Sequence, residues 1–394
     1  MIPRTATSVL HRLAKGFPII VLTGPRQSGK TTLAKATFTD KPYVSLENPE
    51  EREFAEQDPR RFLQRFEEGA ILDEAQRCPA LLSWLQGLVD DRRRMGDFIL
   101  TGSAQFDLMS GVTQSLAGRV GRVELLPFSI GELAGVGRQP SSLEAMLWQG
   151  GYPALYDREL SPADWFPNYV ATYLERDVRQ LIAIRDMTQF QRFVRMCAAR
   201  SGQLLNLTAL GADCGISAVT ARDWLSVLEA SYLVMRLPPY YRNFGKRLVK
   251  TPKLYFLDVG LMAWLLGIRE AMSIETHALR GALFETWVVS ELVKQRFHAG
   301  QPADLYFWRD HVGHEVDVLY ETPGGLQAIE IKSGYTLAAD WLQAARNWLT
   351  LAGDAALPPV IVFGGEESYA REACRVVGWR LLDVLHGDSR VNAQ

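Results

Sequence analysis

The sequence predicts an α/β protein whose amino-terminal part contains a mostly parallel β-sheet. Apolar, β-branched runs of strand length alternate with helical patterns between residues 17 and 128, as in chains of β-α-β units. One of these runs leads into a glycine-bounded loop, and another ends in two acidic residues. In a parallel sheet such strand ends lie along one edge, and that edge is where ligands bind.

Composition limits the protein class only broadly. The chain has 394 residues, of which 47% are hydrophobic and 22% charged, and its net charge is −2. At roughly 150 residues per domain, this length predicts two to four domains. The near-neutral charge means that a nucleic-acid partner would need a local basic patch. The four scattered cysteines match no metal or disulfide pattern, and no apolar run reaches the length of a membrane span. We therefore expect a cytoplasmic protein without a membrane partner.

The first motif is the loop between a predicted strand at 17–23 and a predicted helix. It has the pattern Gly-x4-Gly-Lys-Thr, in which successive backbone N–H groups face a phosphate chain at a helix N-terminus. Lys30 is expected to contact the β- and γ-phosphates of ATP, and the Thr31 hydroxyl to ligate Mg²⁺. A glycine-rich turn with a chance lysine is disfavoured by the strand and helix on either side. The predicted nucleotide contacts are Gly24, Pro25, Arg26, Gln27, Ser28, Gly29, Lys30, Thr31 and Thr32.

A second apolar strand ends in Asp73 and Glu74. Acids at a strand end are common, but here they follow a complete phosphate-binding loop in an alternating β/α pattern. Asp73 is expected to hold Mg²⁺ through water, and Glu74 to polarise the attacking water.

Two more residues are predicted to lie near the γ-phosphate. The apolar strand 98–102 leads to Ser103, whose hydroxyl could sense that phosphate. Arg119 follows a glycine-containing helix end, and an arginine there can stabilise transition-state charge in cis or from a neighbouring copy. Surface or packing roles explain Arg119 equally well, and only the trans role would require a homo-oligomer.

The middle of the chain has helix-turn-helix spacing between residues 207 and 225. Arg222, near the start of the second helix, is placed to contact nucleic acid, although such units also bind proteins. The run 242–253 contains no acidic residue and fits a phosphate-contacting wing, with a solvated charged hairpin as the alternative. Its candidate contacts are Arg242, Lys246, Arg247 and Lys250.

Strand-like stretches at 305–308, 315–320 and 326–332, and a further one at 357–363, predict a second sheet. Asp317 lies in one strand of a predicted hairpin, and Glu330 and Lys332 share a face of the other because they are two residues apart. Two carboxylates and an ammonium on one face suit Mg²⁺ and a phosphodiester, with the lysine orienting water or stabilising charge. Alternating charge on an exposed hairpin is the other interpretation.

Together these residues resemble a bacterial and archaeal family of AAA-type ATPases, and the resemblance covers nearly the whole chain. It includes residues 24–31, 72–76, 100–103, 115–119 and 250–260, as well as 315–317 with 330–332. The last set looks like the PD-(D/E)xK nuclease signature, and Glu285 matches the helix-borne acid of many such nucleases. Val316 stands where that signature often has proline, at a position that varies widely.

The resemblance implies a P-loop, AAA+-like parallel sheet, a helical and winged-helix middle, and a restriction-endonuclease-like α/β domain. The expected bounds are 1–135 for the ATPase domain, 136–190 for a helical lid, 191–253 for a winged-helix-like domain and 254–394 for the nuclease-like domain. ATP and Mg²⁺ are the expected cofactors, with Glu285, Asp317 and Glu330 as further metal ligands.

Two functions remain open at this point. One is an ATP-driven enzyme that acts on nucleic acid, DNA being preferred, with its own nuclease site. The other is an ATP-dependent switch or scaffold that binds a protein and has an inert nuclease-like fold. A small-molecule kinase is disfavoured, because Asp73 and Glu74 suit water activation.

Overall fold

The computed structural model describes residues 1–102, 116–174, 186–241 and 248–386. The chain divides into two compact units. The first unit comprises residues 1–128 with the short segments 230–232 and 296–302. The second comprises 129–229, 233–295 and the chain from 303 onward. The finer division into four domains stays a prediction.

The first unit contains a five-stranded sheet. Its strands are β1 (Ile19–Thr23), β2 (Tyr43–Ser45), β3 (Ala70–Asp73), β4 (Phe98–Gly102) and β5 (Val120–Glu124). They lie in the order β2-β3-β4-β1-β5, and every pair is parallel. The predicted α/β class with a parallel sheet is confirmed.

Helices cover both faces of this sheet. In the described part of the unit they are α1 (Ala6–Ala14), α2 (Lys30–Thr37), α3 (Pro49–Gln57), α4 (Pro59–Gln64) and α5 (Ala80–Arg92). Strand β1 shows why both faces are covered. Its residues Ile19 and Val21 pack into one apolar cluster, and Ile20 and Leu22 pack into another. A strand buried on both faces has a continuous apolar sequence, as β1 has.

The last strand of this sheet differs from the expected one. The sequence predicts this strand at 123–128, but β5 begins at Val120 and ends at Glu124. As an edge strand it alternates buried and exposed residues, so its sequence lacks the apolar run of a central strand. Pro127, in the run that follows, has no N–H for a sheet hydrogen bond.

The second unit begins with short helices and continues with longer ones. These are α6 (Ile130–Ala134), α7 (Leu143–Gln149), α8 (Ala154–Asp157), α9 (Pro162–Tyr169), α10 (Met187–Ala199), α11 (Leu207–Cys214), α12 (Ala218–Ala230), α13 (Val259–Leu265) and α14 (Arg280–His298). A π-helical turn, Val170–Leu174, follows α9. Gly215 ends α11 in a left-handed conformation, and the Ser217 hydroxyl accepts the backbone N–H of Thr220 at the start of α12. Both are typical of a turn between two helices.

A hairpin lies between α12 and α13. Its strands, β6 (Val234–Leu237) and β7 (Lys253–Phe256), are antiparallel. The chain contacts a strand of the second sheet just before the basic run and again within it. Tyr240 N–H donates to Phe307 O at 2.7 Å, and Val249 N–H donates to Arg309 O at 3.1 Å. Arg242, Lys246 and Arg247 lie outside the described residues.

The second sheet has six strands and mixed pairing. They are β8 (Tyr306–Arg309), β9 (Glu315–Thr322), β10 (Gly325–Lys332), β11 (Val360–Phe363), β12 (Tyr369–Arg371) and β13 (Cys374–Gly378), with α15 (Ala339–Ala352) between β10 and β11. Their order is β12-β13-β11-β10-β9-β8. Strand β10 pairs with β9 antiparallel and with β11 parallel. The stretches predicted for β8 to β11 do form strands.

All four cysteines are buried free thiols. Within the described ranges, no helix is both long and apolar enough to cross a membrane.

Candidate functional site

The loop between β1 and α2 adopts a conformation that its glycines permit. Gly24 has a φ of 149°, and a Cβ there would lie 2.1 Å from the carbonyl oxygen of Leu125. Gly29 has a φ of 93° and immediately precedes α2. The loop therefore ends at a helix N-terminus, where free N–H groups and the helix dipole favour an anion.

Lys30 is the first residue of α2 and is only 6% exposed. Its ammonium donates to the carbonyl oxygens of Gly24 at 3.0 Å and Pro25 at 2.8 Å. Burial lowers the pKa of Lys30 from 10.5 to about 8, although the carboxylates of Glu74 and Asp73 act in the opposite direction. The loop backbone thus holds a buried cation close to both acids.

The Asp73 carboxylate, at the end of β3, is the centre of the site. It accepts hydrogen bonds from the Thr31 hydroxyl at 3.0 and 3.2 Å and from the Tyr43 hydroxyl at 2.8 Å. The buried Thr101 hydroxyl, in β4, also donates to it. Burial and this carboxylate raise the pKa of Tyr43 to about 12, so the phenol keeps its donor proton. Thr31 and Asp73, which were predicted as Mg²⁺ ligands, therefore lie together.

Glu74 leaves the strand in a left-handed conformation with a φ of 55°. That conformation is costly for a residue with a side chain, and such residues concentrate at functional sites. The chain then enters a short 3₁₀ turn, Ala75–Arg77, and the Gln76 amide donates to the Glu74 carboxylate.

Sequence reasoning missed Arg4, which braces the loop. Its guanidinium donates to Ser28 O at 2.8 Å and to Leu126 O at 2.6 Å, and lies 4.7 Å from the ring centre of Phe128. No motif marks Arg4, because its partners are far along the chain. Tyr43 is likewise absent from the predicted site residues, although it lies in β2 and donates to Asp73.

Arg119 forms a two-point ion pair with Asp90 of α5. Its Nε lies 2.6 Å from one carboxylate oxygen and its Nη2 2.7 Å from the other. A further bond, of 2.9 Å, runs to Ala117 O. Its predicted action at a γ-phosphate stays a prediction, as does that of Ser103, which lies outside the described residues.

A second group of charged side chains lies in the second unit, on β9 and β10. Asp317 accepts the N–H of Ile331 at 2.8 Å. Burial and the nearby charges of Glu330 and Glu285 raise the pKa of Asp317 well above its ordinary value. Lys332 donates to Glu330, whose pKa burial also raises. The structure thus brings together the four residues that the sequence nominated here.

Lys253, in β7, lies beside these acids and was not predicted. We call Glu285, Glu315, Asp317 and Glu330 the carboxylate cluster. It lies 3.0 Å from Glu285 and also pairs with Glu315. Burial lowers the pKa of Lys253, but Glu285, Asp317 and Glu315 outweigh that effect and the net shift is upward. The Tyr255 hydroxyl donates to Glu285 as well.

The carboxylate cluster is balanced by lysines. Among the residues described, no group of three or more His, Cys, Asp or Glu side chains is arranged to hold a metal ion. Glu285 is engaged by two donors, Lys253 and Tyr255. Asp317 and Glu330 each have one described donor, Ile331 N–H and Lys332 respectively. Their oxygens are therefore the more accessible to a hard cation.

The nucleic-acid candidates that the structure describes are exposed. Arg222 lies on α12, and Lys250 lies three residues before β7. Neither contacts the carboxylate cluster through an ion pair or hydrogen bond that the structure describes.

We expect nucleotide affinity to depend on pH through Lys30. Bound phosphates raise the pKa of an adjacent ammonium above its value in the free protein. Affinity should therefore be constant below pH 8 and fall by up to about tenfold per pH unit above it, because binding then requires proton uptake. Calorimetry of ADP binding at pH 7 and 9.5, in buffers of different ionisation enthalpy, measures the affinity and the number of protons taken up. Equal affinities without proton uptake would contradict the shifted pKa.

Arg4→Ala should weaken the loop. The change leaves two buried carbonyl groups without their donor, which typically costs about 1–3 kcal/mol of stability. Urea unfolding should show that loss, and ADP titration should show weaker binding. Arg12→Ala is the matched control, because Arg12 makes an exposed bond of 3.3 Å to Ala299 O. Equal effects of the two changes would remove the bracing role.

Three families match consecutive parts of the chain. Residues 16–134 match an AAA domain, 140–271 match the domain of unknown function DUF8612, and 280–382 match the domain of unknown function DUF4143.

Two solved structures show limited similarity. The Walker-type ATPase PABY2304 of Pyrococcus abyssi is 15% identical, with a TM-score of 0.46 over 67% of this chain and 96% of that one. The RuvB Holliday junction branch migration motor of Thermotoga maritima is 19% identical, with a TM-score of 0.31 over 59% of this chain and 89% of that one.

Two relatives show much stronger similarity in sequence. They are the uncharacterized proteins Mb2031c of Mycobacterium bovis and Rv2008c of Mycobacterium tuberculosis. Each is 34% identical over 334 residues, which cover 84% of this chain and 73% of the relative. This chain therefore belongs to the family of these two mycobacterial proteins, and its amino-terminal unit is an AAA-type ATPase domain.

Proposed function

We propose that the protein is a Mg²⁺-dependent ATPase that couples ATP binding and hydrolysis to the processing of nucleic acid, DNA being preferred. The observation that carries the ATPase part is the hydrogen bonding of Asp73. This buried carboxylate meets the Thr31 hydroxyl beside Lys30, at the carboxyl end of a parallel sheet. A hydroxyl and a carboxylate at that edge suit Mg²⁺, which would neutralise charge between the β- and γ-phosphates.

The residues of the loop and of β3 divide the work of hydrolysis. Lys30 and the loop N–H groups would hold the phosphates, and Asp73 and Thr31 would hold Mg²⁺. Glu74 accepts a proton from the attacking water as its oxygen bonds to the γ-phosphorus. The bond from that phosphorus to the bridging oxygen breaks, and its electron pair stays on ADP.

Two substitutions separate binding from chemistry. Lys30→Ala should abolish nucleotide binding, because the loop N–H groups alone do not neutralise the β- and γ-phosphates. Glu74→Gln should bind ATP and hydrolyse it at least about a hundredfold more slowly, because the amide keeps the shape but cannot accept the proton. Fluorescent-nucleotide titration and phosphate release measure the two steps. Equal hydrolysis by wild type and Glu74→Gln would remove Glu74 from this role.

The nucleic-acid part of the proposal is supported by the second unit. Helices α11 and α12 are joined by a capped turn and followed by the β6–β7 hairpin, an order that suits a winged-helix reading. Arg222 and Lys250 are exposed, and the run between the hairpin strands is basic in sequence. Basic side chains such as these bind the phosphates of nucleic acid whatever its base sequence.

Neutralising the basic run should change the salt dependence of nucleic-acid binding. The variant replaces Arg242, Lys246, Arg247 and Lys250 with Gln. Each lost phosphate contact should reduce the slope of log affinity against log salt by about 1, because fewer counterions are released. Titration of labelled duplex and single-stranded DNA from 50 to 200 mM salt measures this slope. An unchanged slope would show that the run is a solvated surface.

We further propose that the carboxylate cluster is a metal-dependent nuclease site. Asp317 and Glu330 would hold Mg²⁺, and Lys332 would orient water or stabilise charge on the phosphodiester. A site with two carboxylates binds Mg²⁺ weakly, because the ion keeps several waters and takes further ligands from substrate phosphate.

Cleavage should therefore require Mg²⁺ or Mn²⁺ and be lost in Asp317→Ala, Glu330→Ala and Lys332→Ala, while ATP hydrolysis continues. Metal affinity should rise with pH, since the raised pKa of Asp317 makes protons compete with the ion. Supercoiled, linear, branched and single-stranded DNA, with and without ATP, are the substrates to incubate. Cleavage that persists in Asp317→Ala would overturn the assignment.

The second candidate function is an ATP-dependent switch or scaffold whose nuclease-like unit is inert. The engagement of Glu285 by Lys253 and Tyr255 favours it, because it leaves two carboxylates for a metal. Failure of the wild type to cut any DNA or RNA form in every nucleotide state would select this candidate.

A further inference from the structure

Arg26, in the loop after β1, is close to an exposed carboxylate that a second arginine also contacts. Its Nη2 lies 3.6 Å from an oxygen of Glu47, and the Nη2 of Arg77 lies 3.3 Å from the same oxygen. The Glu47 side chain is 57% exposed, whereas those of Arg26 and Arg77 are 24% and 38% exposed. Two guanidinium groups thus share one solvated carboxylate oxygen.

The strand order shows where Arg26 must lie. Arg26 follows β1 and Glu47 follows β2, and β4 and β3 lie between these strands. Three strand spacings amount to about 14 Å. The Arg26–Glu47 contact therefore spans the carboxyl ends of β4 and β3, where Asp73 and Glu74 lie. The Arg26 charge is also near enough to Lys30 to contribute to the lowered pKa of that lysine.

The Arg26–Glu47 contact is easily exchanged. An ion pair with a solvated carboxylate is worth little, because water and salt screen it. A phosphate group carries more charge than a carboxylate and accepts paired hydrogen bonds from a guanidinium. An ATP γ-phosphate held by Lys30 would compete directly with Glu47 for Arg26, whereas ADP carries no such group.

We propose that Arg26 exchanges Glu47 for the γ-phosphate of bound ATP and stabilises the negative charge that develops during hydrolysis. Arg77 keeps Glu47 paired when Arg26 leaves. The inference rests on the proposed ATPase function and deepens it, because it makes Arg26 the group that distinguishes ATP from ADP. It also supplies in cis the arginine for which Arg119, bonded to Asp90, was the sequence candidate.

The test compares the affinity of each variant for ADP and for a non-hydrolysable ATP analogue. Arg26→Gln should lower the ratio of analogue to ADP affinity at least tenfold and reduce kcat by about 10³-fold. Arg26→Lys keeps the charge but loses the paired bonds. Its affinity ratio and its kcat should lie between those of wild type and Arg26→Gln. Glu47→Gln should strengthen analogue binding several-fold and leave ADP binding unchanged. Circular dichroism and thermal unfolding confirm that each variant is folded.

A double variant and a control complete the design. Glu47→Gln should have no effect on analogue affinity when Arg26→Gln is already present, because Glu47 acts through Arg26. Arg346→Gln, which removes an exposed ion pair with Glu372 in the second unit, should leave both affinities unchanged. An unchanged affinity ratio in Arg26→Gln, or a Glu47 effect that survives in the double variant, overturns the proposal. If wild type binds both nucleotides but does not hydrolyse ATP, the ATPase proposal fails, and the ratio still decides the Arg26 contact.

Discussion

The first unit depends on how the buried carboxylate of Asp73 is satisfied. An ionised group away from water is costly unless hydrogen bonds replace its hydration. Its donors come from three different elements, since Thr31 lies on α2, Tyr43 on β2 and Thr101 on β4. These bonds join β3 to both neighbouring strands and to the helix that follows the loop. They also hold the carboxylate in place for a cation.

In the carboxylate cluster of the second unit, lysine side chains offset the cost of burying the carboxylates. Lys253 and Lys332 pair with its acids, and their charges oppose the upward shift that burial gives to the pKa of Asp317. A lysine ammonium fixes a carboxylate but also competes with a metal ion for it. Neutral hydroxyl donors leave the charge of Asp73 free for Mg²⁺, whereas Lys253 takes up the charge of Glu285. This difference makes Asp73 better prepared for a cation than the carboxylates of the second unit.

Exposure separates groups that are fixed from groups that can exchange partners. Arg4 is buried and bonded to two backbone carbonyls, so it holds the loop in one conformation. Arg26, in the same loop, shares a solvated carboxylate with Arg77. The loop therefore combines a braced backbone with a charge that, in our proposal, changes its partner. That combination suits a site that must bind nucleotide and distinguish its phosphates.

The sequence by itself determined the features that are encoded locally. The loop from Gly24 to Thr31 and the strand ending at Asp73 are contiguous patterns, and the β9–β10 hairpin needs only neighbouring segments. The tertiary structure decided what depends on strand order and long-range packing. Arg4, Tyr43 and Lys253 reach their partners across many residues, and no periodicity records such contacts. The bounds of β5 were also decided there, because an edge strand is half exposed and lacks the continuous apolar run that marks a buried strand.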